Sequence, residues 1–427
     1  MMNMKYKNYK DSGIEWIGEI PCHWEVKRIK TLFQERTELS ETGEEDLMSV
    51  SEYYGVAPSA QVRESEEYVT RAKTLVGYKK CYKHDIVSNI MLAWKGAMGE
   101  TPQDGIVSPA YCVYSPLEGC HSKYFHHLFR TPLYRDVFKK NSRGIIESRL
   151  RLYSPNFFNI EVGVPPLAEQ QAIAAYLDAK CGKVDALVAA LEQQAADLGD
   201  LKKSEISRVV TKGLQPNATL KNSGIEWIGE IPVEWECKRI SWLFDTIGSG
   251  TTPKSDDSSM YSENGQPWLQ TGDLTDGYVD STSKKVTEKA LSNNSLTIYP
   301  KGSLVVAMYG ATIGKLGILN IDCATNQACC VMTNSRNFNV KLAFYMLIAS
   351  KQSLIEKAAG GGQPNISQDI IRHHKLPYPP LEEQQAIADY LDAYCAKVDA
   401  AVAEIKAQIA DLKSYKQSLI SEAVTGK

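Results

Sequence analysis

A cluster of basic side chains stands out in an otherwise balanced sequence. Between His121 and Leu152 the only acidic residues are Asp136 and Glu147. The cations there are Lys123, Arg130, Arg135, Lys139, Lys140, Arg143, Arg149 and Arg151. Such a cluster can neutralise the phosphates of a nucleic acid. Because the whole chain carries a formal net charge of −3, a basic binding face and an ordinary solvated helix face both remain open.

Motifs for catalysis or nucleotide binding are incomplete in this sequence. The stretch YGATIGKL from Tyr309 has three residues between Gly310 and Gly314 and ends in Leu316, whereas a phosphate-binding loop needs four residues and a hydroxyl. GSGTTP from Gly248 lacks the third glycine of a dinucleotide fingerprint. No G-x-S-x-G, protein-kinase or H-E-x-x-H pattern occurs. We therefore expect this chain not to be an enzyme, and any chemistry to belong to a partner.

Metal ligands at useful spacings are also missing. The ten cysteines include no C-x-x-C pair, and the two His pairs, at 126–127 and 373–374, lack the context of a zinc site. Cys181 and Cys395 stand on helical apolar stripes, which predicts buried, reduced thiols. The sequence predicts no metal and no cofactor in this chain.

The chain is an internal duplication. SGIEWIGEIP runs from Ser12 to Pro21 and again from Ser223 to Pro232, an offset of 211 residues (223 − 12). PPLAEQQAIAAYLDAKCGKVDAL from Pro165 returns as PPLEEQQAIADYLDAYCAKVDAA from Pro379, an offset of 214 (379 − 165). A single period of this length indicates two domain-sized copies and excludes a solenoid of short repeats.

Each Pro-Pro-Leu motif begins a long heptad pattern, which is typical of a coiled coil. The pattern predicts a helix of about 65 Å from Leu167 to about Val210, and an equivalent helix in the second copy. Because an exposed seam would leave either helix unstable alone, we expect the two helices to pair within the chain. The predicted core positions are Leu177, Val184, Leu191, Leu198, Leu391, Val398, Ile405 and Leu412.

The segments before the helices read as compact α/β bodies. Short apolar runs are broken by Gly, Pro, Asn and Asp, and two segments, 84–114 and 302–332, repeat one plan of strand, glycine turn and strand. The predicted domains are 1–164, a helix at 165–213, 214–378, and a helix at 379–427. The N-terminus lacks a signal peptide and no apolar run is long enough to cross a bilayer, so we expect a cytoplasmic protein.

With these features in place, the chain resembles the specificity subunit of type I restriction-modification enzymes. The resemblance covers almost the whole length and is carried by SGIEWIGEIP in both halves, ATIGK and ATNQAC in the second strand region, GGGQPNIS from Gly360, and PPLxEQQAIAxYLD at both helix starts. The first half has RGIIESRLRL where the second has the glycine-rich loop.

The resemblance implies a fold and a role. Two α/β target-recognition domains would each read one half of a bipartite DNA site, and two antiparallel helices would hold them apart. The layout would be pseudo-two-fold and pseudo-circular, with the N-terminal motif standing where the second helix returns. Two methyltransferase subunits would bind S-adenosylmethionine, and motor-nuclease subunits would use ATP and Mg²⁺ in phage defence.

Candidate DNA contacts follow from residue type, since Arg and Lys suit guanine and phosphate while Asn and Gln suit adenine. In the first domain they are Trp94, Lys95, Lys139, Lys140, Arg143, Arg149 and Arg151. In the second they are Thr312, Lys315, Gln363, Asn365 and Ser367. For methyltransferase binding we predict the outward helix faces and the helix starts, at Glu169, Gln170, Glu383 and Gln384.

Two alternatives stay open at this stage. One is a specificity subunit of a related methyltransferase or phage-defence complex that lacks the motor nuclease. The other, from a different class, is a coiled-coil scaffold without DNA readout. A purely structural role also stays open for the basic and glycine-rich segments. In that case Trp94 is simply packed and the loops contact no ligand.

Overall fold

The computed structural model describes residues 6–62, 74–293, 296–358 and 365–427. The chain divides into two compact units. Unit 1 comprises residues 1–192 and 406–427, and unit 2 comprises residues 193–405. Both long helices pass from one unit to the other, so each unit contains one globular body and a part of each helix.

The described part of unit 1 contains twelve short strands. They are β1 Tyr9–Asp11, β2 Glu19–Pro21, β3 Glu25–Arg28, β4 Phe33–Arg36, β5 Met48–Ser51, β6 Gly55–Pro58, β7 Lys79–Cys81, β8 Ile86–Asn89, β9 Met98–Glu100, β10 Gly105–Val107, β11 Tyr111–Pro116 and β12 Glu161–Val164. Its helices are α1 Ser59–Val62, α2 Ser122–Phe129, α3 Pro132–Asn141, α4 Ser154–Phe158 and the first part of α5 Leu167–Lys212.

An antiparallel sheet in the order β4-β11-β8-β9 forms the centre of unit 1. Its strands are short and apolar where they face α2, and rings such as those of Phe33, Phe125 and Phe129 fill the space between them. The segment after the sheet forms two helices, because Thr131 caps α3 and Pro132 occupies its first turn. The turn between β8 and β9 is therefore held by both a sheet and a helix pair.

Unit 2 follows the same plan with additions. Its strands are β13 Leu220–Asn222, β14 Glu230–Pro232, β15 Glu236–Arg239, β16 Phe244–Ser249, β17 Tyr261–Leu269, β18 Gly277–Val279, β19 Lys284–Val286, β20 Ile298–Tyr299, β21 Leu304–Ala307, β22 Leu316–Leu319, β23 Cys323–Thr325, β24 Cys329–Ser335 and β25 Lys375–Tyr378. Its helices are α6 Ile240–Leu243, α7 Glu288–Asn293, α8 Val340–Ala349, α9 Lys351–Glu356, α10 Gln368–His373 and α11 Leu381–Thr425.

The central sheet of unit 2 has the order β16-β24-β21-β22-β18. Strand β18 runs parallel to β22, and the other neighbours are antiparallel. A second sheet, β19-β17-β23-β20, has no counterpart of the same size in the described part of unit 1. The two bodies therefore share a core plan and differ in what is attached to it, and the mixed α/β class is confirmed.

Within each unit α5 and α11 pair in opposite chain directions. In unit 1, Lys416 lies 2.6 Å from Asp185 and Lys413 lies 3.3 Å from Glu192. In unit 2, Lys202 lies 2.7 Å from Asp399, and the hydroxyl of Tyr390 donates to Glu205 over 2.7 Å. In both units the residue number rises along α5 while the number of the contacting residue falls along α11, so the predicted antiparallel pairing is confirmed.

Burial agrees with the predicted seam at most positions. Leu177 and Leu391 are fully buried, and Val184, Val398 and Ile405 are less than a tenth exposed. Leu191, Leu198 and Leu412 are partly buried, as expected where two helices cover each other without a third layer.

The repeated SGIEWIGEIP motif packs near the C-terminal end of a long helix in each unit. Each copy makes a tight turn that needs a left-handed glycine, Gly18 with φ 69° and Gly229 with φ 68°. In unit 2, Gly213 directly follows α5 and lies against Trp235. In unit 1, Gly426 directly follows α11 and lies against Trp24, so early and late segments of the sequence are in contact there. This contact matches the predicted pseudo-circular layout.

The predicted domain borders stay a prediction. The long helices begin at Leu167 and Leu381, close to the predicted 165 and 379. The compact units, however, divide both helices near their middles instead of separating helices from bodies.

Candidate nucleic-acid interface

The turns that carry the predicted DNA contacts are equivalent in the two units. Strands β8 and β9 correspond to β21 and β22 at a constant offset of 218 residues (304 − 86 and 316 − 98). Each turn closes through a left-handed glycine, Gly96 with φ 95° and Gly314 with φ 74°. The predicted equivalence of the two strand-turn-strand segments is visible in this shared geometry.

A second loop docks onto each turn by one backbone hydrogen bond. In unit 1 the amide of Leu152 donates to the carbonyl of Ile90 over 2.9 Å, and in unit 2 the amide of Ile366 donates to the carbonyl of Met308 over 2.8 Å. Both donors are buried. Residues that are far apart in sequence are thereby brought to one place, in the same way, in each body.

We call the resulting patch of unit 1 surface 1. It consists of the turn 91–97, Lys139 and Lys140 at the end of α3, and the loop 143–151. Every first-domain DNA contact predicted from the sequence lies on it. The predicted residues are thus assembled by the fold, although the DNA contact itself stays a prediction.

Trp94 is neither fully packed nor free. Its indole N–H donates to the carbonyl of Met91 over 3.1 Å. The ammonium groups of Lys95 and Lys139 lie 5.3 Å and 5.0 Å from the ring centroid, within range of a cation–π attraction. The half-buried ring therefore gathers two cations that sequence spacing alone keeps 44 residues apart (139 − 95).

The loop 143–151 projects from the body on a narrow stem. The backbones of Arg143 and Arg151 exchange two hydrogen bonds of 2.9 Å, and between them Ile145 is fully exposed. Arg143 and Arg149 are exposed as well. Lys139 binds Glu147 over 2.5 Å and lowers the pKa of that carboxyl. The stem and this ion pair fix the loop, while its arginines remain available to a ligand.

We call the equivalent patch of unit 2 surface 2, which consists of the turn 309–315 and residues 365–367. An isolated antiparallel bridge joins Tyr309 to Asn365. Thr312 and Lys315 are half-buried on the turn, and Asn365 is exposed. The hydroxyl of Ser367 accepts from the amide of Ile370 and caps α10, which gives this serine a structural role. Gln363 lies outside the described residues.

The sequence reading missed a lysine of unit 2. Lys357 follows α9 and is exposed, and it stands at the same offset of 218 from Lys139 as the turn residues do (357 − 139). The signal that finds it is the repeat itself, because the paired segments 84–114 and 302–332 stand at the same offset of 218 (302 − 84). The anchors at 211 and 214 would align other residues.

The predicted partner contacts at the helix starts are occupied within their own unit. Gln170 is 1% exposed, accepts from the amide of His121 over 2.9 Å and donates to two carbonyls. Gln384 is completely buried and bonds in the same pattern to the backbone of Asn339, Asn337 and Pro379. Both amides position the helix start from inside, so partner contact through them stays a prediction that the geometry does not favour.

The two glutamates clamp the repeated tryptophans. The indole N–H of Trp24 donates to Glu169 over 3.0 Å, and that of Trp235 donates to Glu383 over 2.9 Å. Glu169 also meets the imidazole of His23 at 2.7 Å. Trp24 and Trp235 lie three residues after the decapeptide of their unit, so the opening repeat and the Pro-Pro-Leu anchor meet at one joint between body and helix.

No metal centre or membrane span is found among the described residues, and buried thiols there are protonated. No group of three or more His, Cys, Asp or Glu residues is arranged to hold a metal ion among the described residues. Burial raises the pKa of thiols such as Cys81 to about 12, so they stay protonated. Of the described helices, none is long and apolar enough to span a bilayer.

Comparisons with known proteins agree with this architecture. The MjaVIII specificity subunit of a type I restriction enzyme from Methanocaldococcus jannaschii is 28% identical over 281 residues, 64% of this chain and 63% of that protein. The chain thus spans just under two thirds of that relative. The putative MjaX specificity subunit from the same organism is 23% identical over 99% of this chain and 97% of its own length.

A solved structure supports the fold. A chain from a study of complex assembly and conformational transition in a type I R-M system superposes with a TM-score of 0.73, covering 95% of this chain and 98% of that chain at 18% identity. The family model described as "Type I restriction modification DNA specificity domain" matches residues 21–194 and again residues 232–411. The chain therefore belongs to the type I restriction modification DNA specificity domain family and contains two copies of the domain in tandem.

Proposed function

We propose that this chain reads a bipartite DNA sequence, with surface 1 on one half-site and surface 2 on the other. The main observation behind this proposal is that both surfaces have the same backbone arrangement of strand, turn and docked loop but carry different side chains. A frame that is kept while its side chains change is what two readers of different sequences require. Family membership and the names of the relatives support the same role.

The side chains divide the proposed readout by chemistry. Surface 1 offers three arginines and three lysines, which suit guanine edges and phosphates. Surface 2 offers Asn365, Thr312 and Lys315, a set with fewer charges and with an amide that suits adenine. We expect the two half-sites to differ in sequence, and most of the phosphate contacts of this chain to come from unit 1.

The paired helices would set the unread gap between the half-sites. Readers on one face of B-DNA need centres about one helical turn apart, roughly 34–36 Å. A pair of helices resists bending better than a linker of the same length. The ion pairs between α5 and α11 in each unit support a fixed spacing.

Catalysis would belong to partner subunits. We propose that two methyltransferase subunits dock on the helices and supply the S-adenosylmethionine site, and that motor-nuclease subunits supply the ATP and Mg²⁺ sites. Methylation requires a flipped base, so this chain has to leave the target adenine accessible. The complex would work in the cytoplasm, where the DNA lies.

Selection from a random duplex library tests this function. The assembled complex of this chain and its methyltransferase partner is used to retain DNA, and the retained pool is sequenced. Enrichment of one motif with two defined halves and an undefined gap is expected. Retention without any motif contradicts DNA readout and favours the scaffold alternative.

A further inference from the structure

The hairpin of β5 and β6 carries an exposed aromatic side chain at its tip. Ser51 pairs with Gly55, so residues 52–54 form the turn. Tyr53 is 82% exposed, and the described residues offer its hydroxyl no hydrogen-bond partner. Neighbouring Tyr54 is held, because its hydroxyl lies 2.9 Å from that of Ser49. A single exposed ring is common on protein surfaces, so what distinguishes Tyr53 is the place at which the fold holds it.

Arg130 ties this tip to surface 1. One guanidinium nitrogen donates to the carbonyls of Gly96 over 2.8 Å and Met98 over 3.1 Å, which belong to the Trp94 turn and its strand. The other donates to the carbonyl of Tyr53 over 2.7 Å. Among the described residues Arg130 forms no ion pair, so its charge is satisfied by backbone carbonyls of both loops. The planar guanidinium carries five N–H donors in a fixed fork, which suits it to hold two turns at once.

Close backbone packing supports the same joint. A side-chain carbon at Gly99 would lie 2.7 Å from the imidazole Nδ1 of His126 and 3.4 Å from the Cα of Gly55. At Gly55 it would lie 3.0 Å from that imidazole and 3.1 Å from the guanidinium of Arg130. The hairpin can approach β9 this closely because both positions are glycine. The tip is therefore fixed relative to the Trp94 turn.

Hydrogen bonds hold the backbone of Tyr53, while its ring is exposed to solvent. Its amide donates to the hydroxyl of Ser51 over 3.1 Å and its carbonyl accepts from Arg130. A tyrosine ordered in this way loses little conformational entropy on binding. Its ring can lie against a sugar or a thymine methyl group while the hydroxyl donates to a phosphate oxygen.

We propose that Tyr53 is a further DNA contact of unit 1, and that Arg130 is a positioning residue that locks the hairpin tip onto surface 1. This inference rests on the proposed DNA-reading function. It adds to surface 1 an element that the basic cluster and the repeat do not indicate, because Arg130 itself faces the protein backbone and Tyr53 lies outside the cluster.

The first test measures binding of the assembled complex to its selected duplex. Tyr53→Ala is expected to weaken binding about two- to tenfold, the effect of one lost hydrogen bond with its apolar contact. Tyr53→Phe separates the hydroxyl from the ring. The control is Tyr9→Ala on β1, which removes another exposed tyrosine of unit 1 away from surface 1 and the long helices and is expected to leave binding unchanged. Unchanged binding by Tyr53→Ala overturns the proposal.

The second test separates positioning from folding. Arg130→Met is expected to reduce discrimination against mismatches in the first half-site while discrimination in the second half-site stays as in the wild type. Thermal unfolding of the isolated chain tests for misfolding of unit 1, and an Arg130→Met variant that unfolds well below the wild-type temperature overturns the positioning role. Arg130→Lys keeps the charge without the planar fork and is expected to restore less than full discrimination.

Failure of this inference and failure of the proposed function give different results. If the wild-type complex retains no preferred duplex, the DNA-reading function fails and the inference fails with it. If Trp94→Ala weakens specific binding and Tyr53→Ala does not, surface 1 stands and the hairpin contact alone is wrong.

Replacing Tyr53 with p-benzoylphenylalanine gives an independent readout, since crosslinking to the first half-site is expected and crosslinking elsewhere contradicts the proposal.

Discussion

At the scale of single residues, the arginines of the loop 143–151 carry the sharpest expectation. Arg149→Ala is expected to cost about 1–3 kcal/mol of binding at the first half-site, because an arginine that reads a guanine edge makes two hydrogen bonds to it. The measurement is duplex binding by the assembled complex, with mismatches in either half-site.

A matched arginine controls for charge. Arg28 is an exposed residue of unit 1 that lies 3.6 Å from Glu161, and Arg28→Ala removes the same charge without touching surface 1. Equal losses for the two variants would mean that Arg149 acts only through net charge.

A buried histidine gives unit 2 a pH dependence. His374 is 3% exposed, its Nε2 lies 3.0 Å from the hydroxyl of Ser350, and Trp227 stacks on its ring. Burial, with a smaller contribution from Lys357, lowers its pKa to about 3. The unfolded chain, with a pKa near 6.5, binds the proton first. Stability is therefore full above about pH 6.5 and declines as the pH falls toward 3.

The expected difference is measurable by thermal unfolding. Between pH 6.5 and 5, the wild-type chain should lose about 1–2 kcal/mol more than His374→Gln, which has no proton to bind in this range. Unit 1 has Ile160 at the equivalent position (374 − 214), so the effect belongs to unit 2. Parallel pH profiles of the two proteins would contradict the assignment.

At the scale of elements, leucines of the long helices that look alike in sequence differ in burial, because only some of them lie in the seam between the helices. Leu177 is completely buried and Leu187 is 49% exposed. Leu177→Ala should lower the free energy of unfolding by about 2–5 kcal/mol because it leaves a cavity. Leu187→Ala should stay within about 0.5 kcal/mol. Urea unfolding of both variants checks the heptad register, and similar losses would mean that the register is wrong.

The helix starts offer an equally close pair of neighbours. Gln170→Ala leaves the amide of His121 and two carbonyls without partners, at a cost of about 2–3 kcal/mol. Gln171 is exposed, so Gln171→Ala is the control. If Gln170→Ala leaves the stability of the isolated chain unchanged but weakens methyltransferase binding, the original prediction of partner contact is right and the internal role is not.

The elements also show how far sequence reasoning reaches. The helices and their pairing could be predicted because a heptad pattern is local and long. The role of Gln170 could not, because its burial depends on a loop some 50 residues earlier in the chain. Surface 1 was found by residue type, whereas Lys357 lies outside any basic cluster and is marked only by the offset of 218 that the segments 84–114 and 302–332 share.

At the scale of the whole molecule, the helices should act as the ruler between the half-sites. Both helices pass between the units, at 192–193 in α5 and at 405–406 in α11. Three heptads inserted at each point keep the seam in phase and add about 32 Å, or about nine base pairs, close to one further turn of the duplex. The motif halves should stay the same while the unread gap lengthens. A changed half-sequence would contradict the separation of reading from spacing.

The central claim is that one chain with two readers specifies one bipartite site. The most direct measurement is the single-molecule methylome of a methylation-free host that expresses this chain with its methyltransferase partner. The account predicts N6-methyladenine at one motif with two defined halves and a fixed gap, lost when this chain is omitted. Methylation that persists without this chain, or that falls on one short continuous motif, would contradict it.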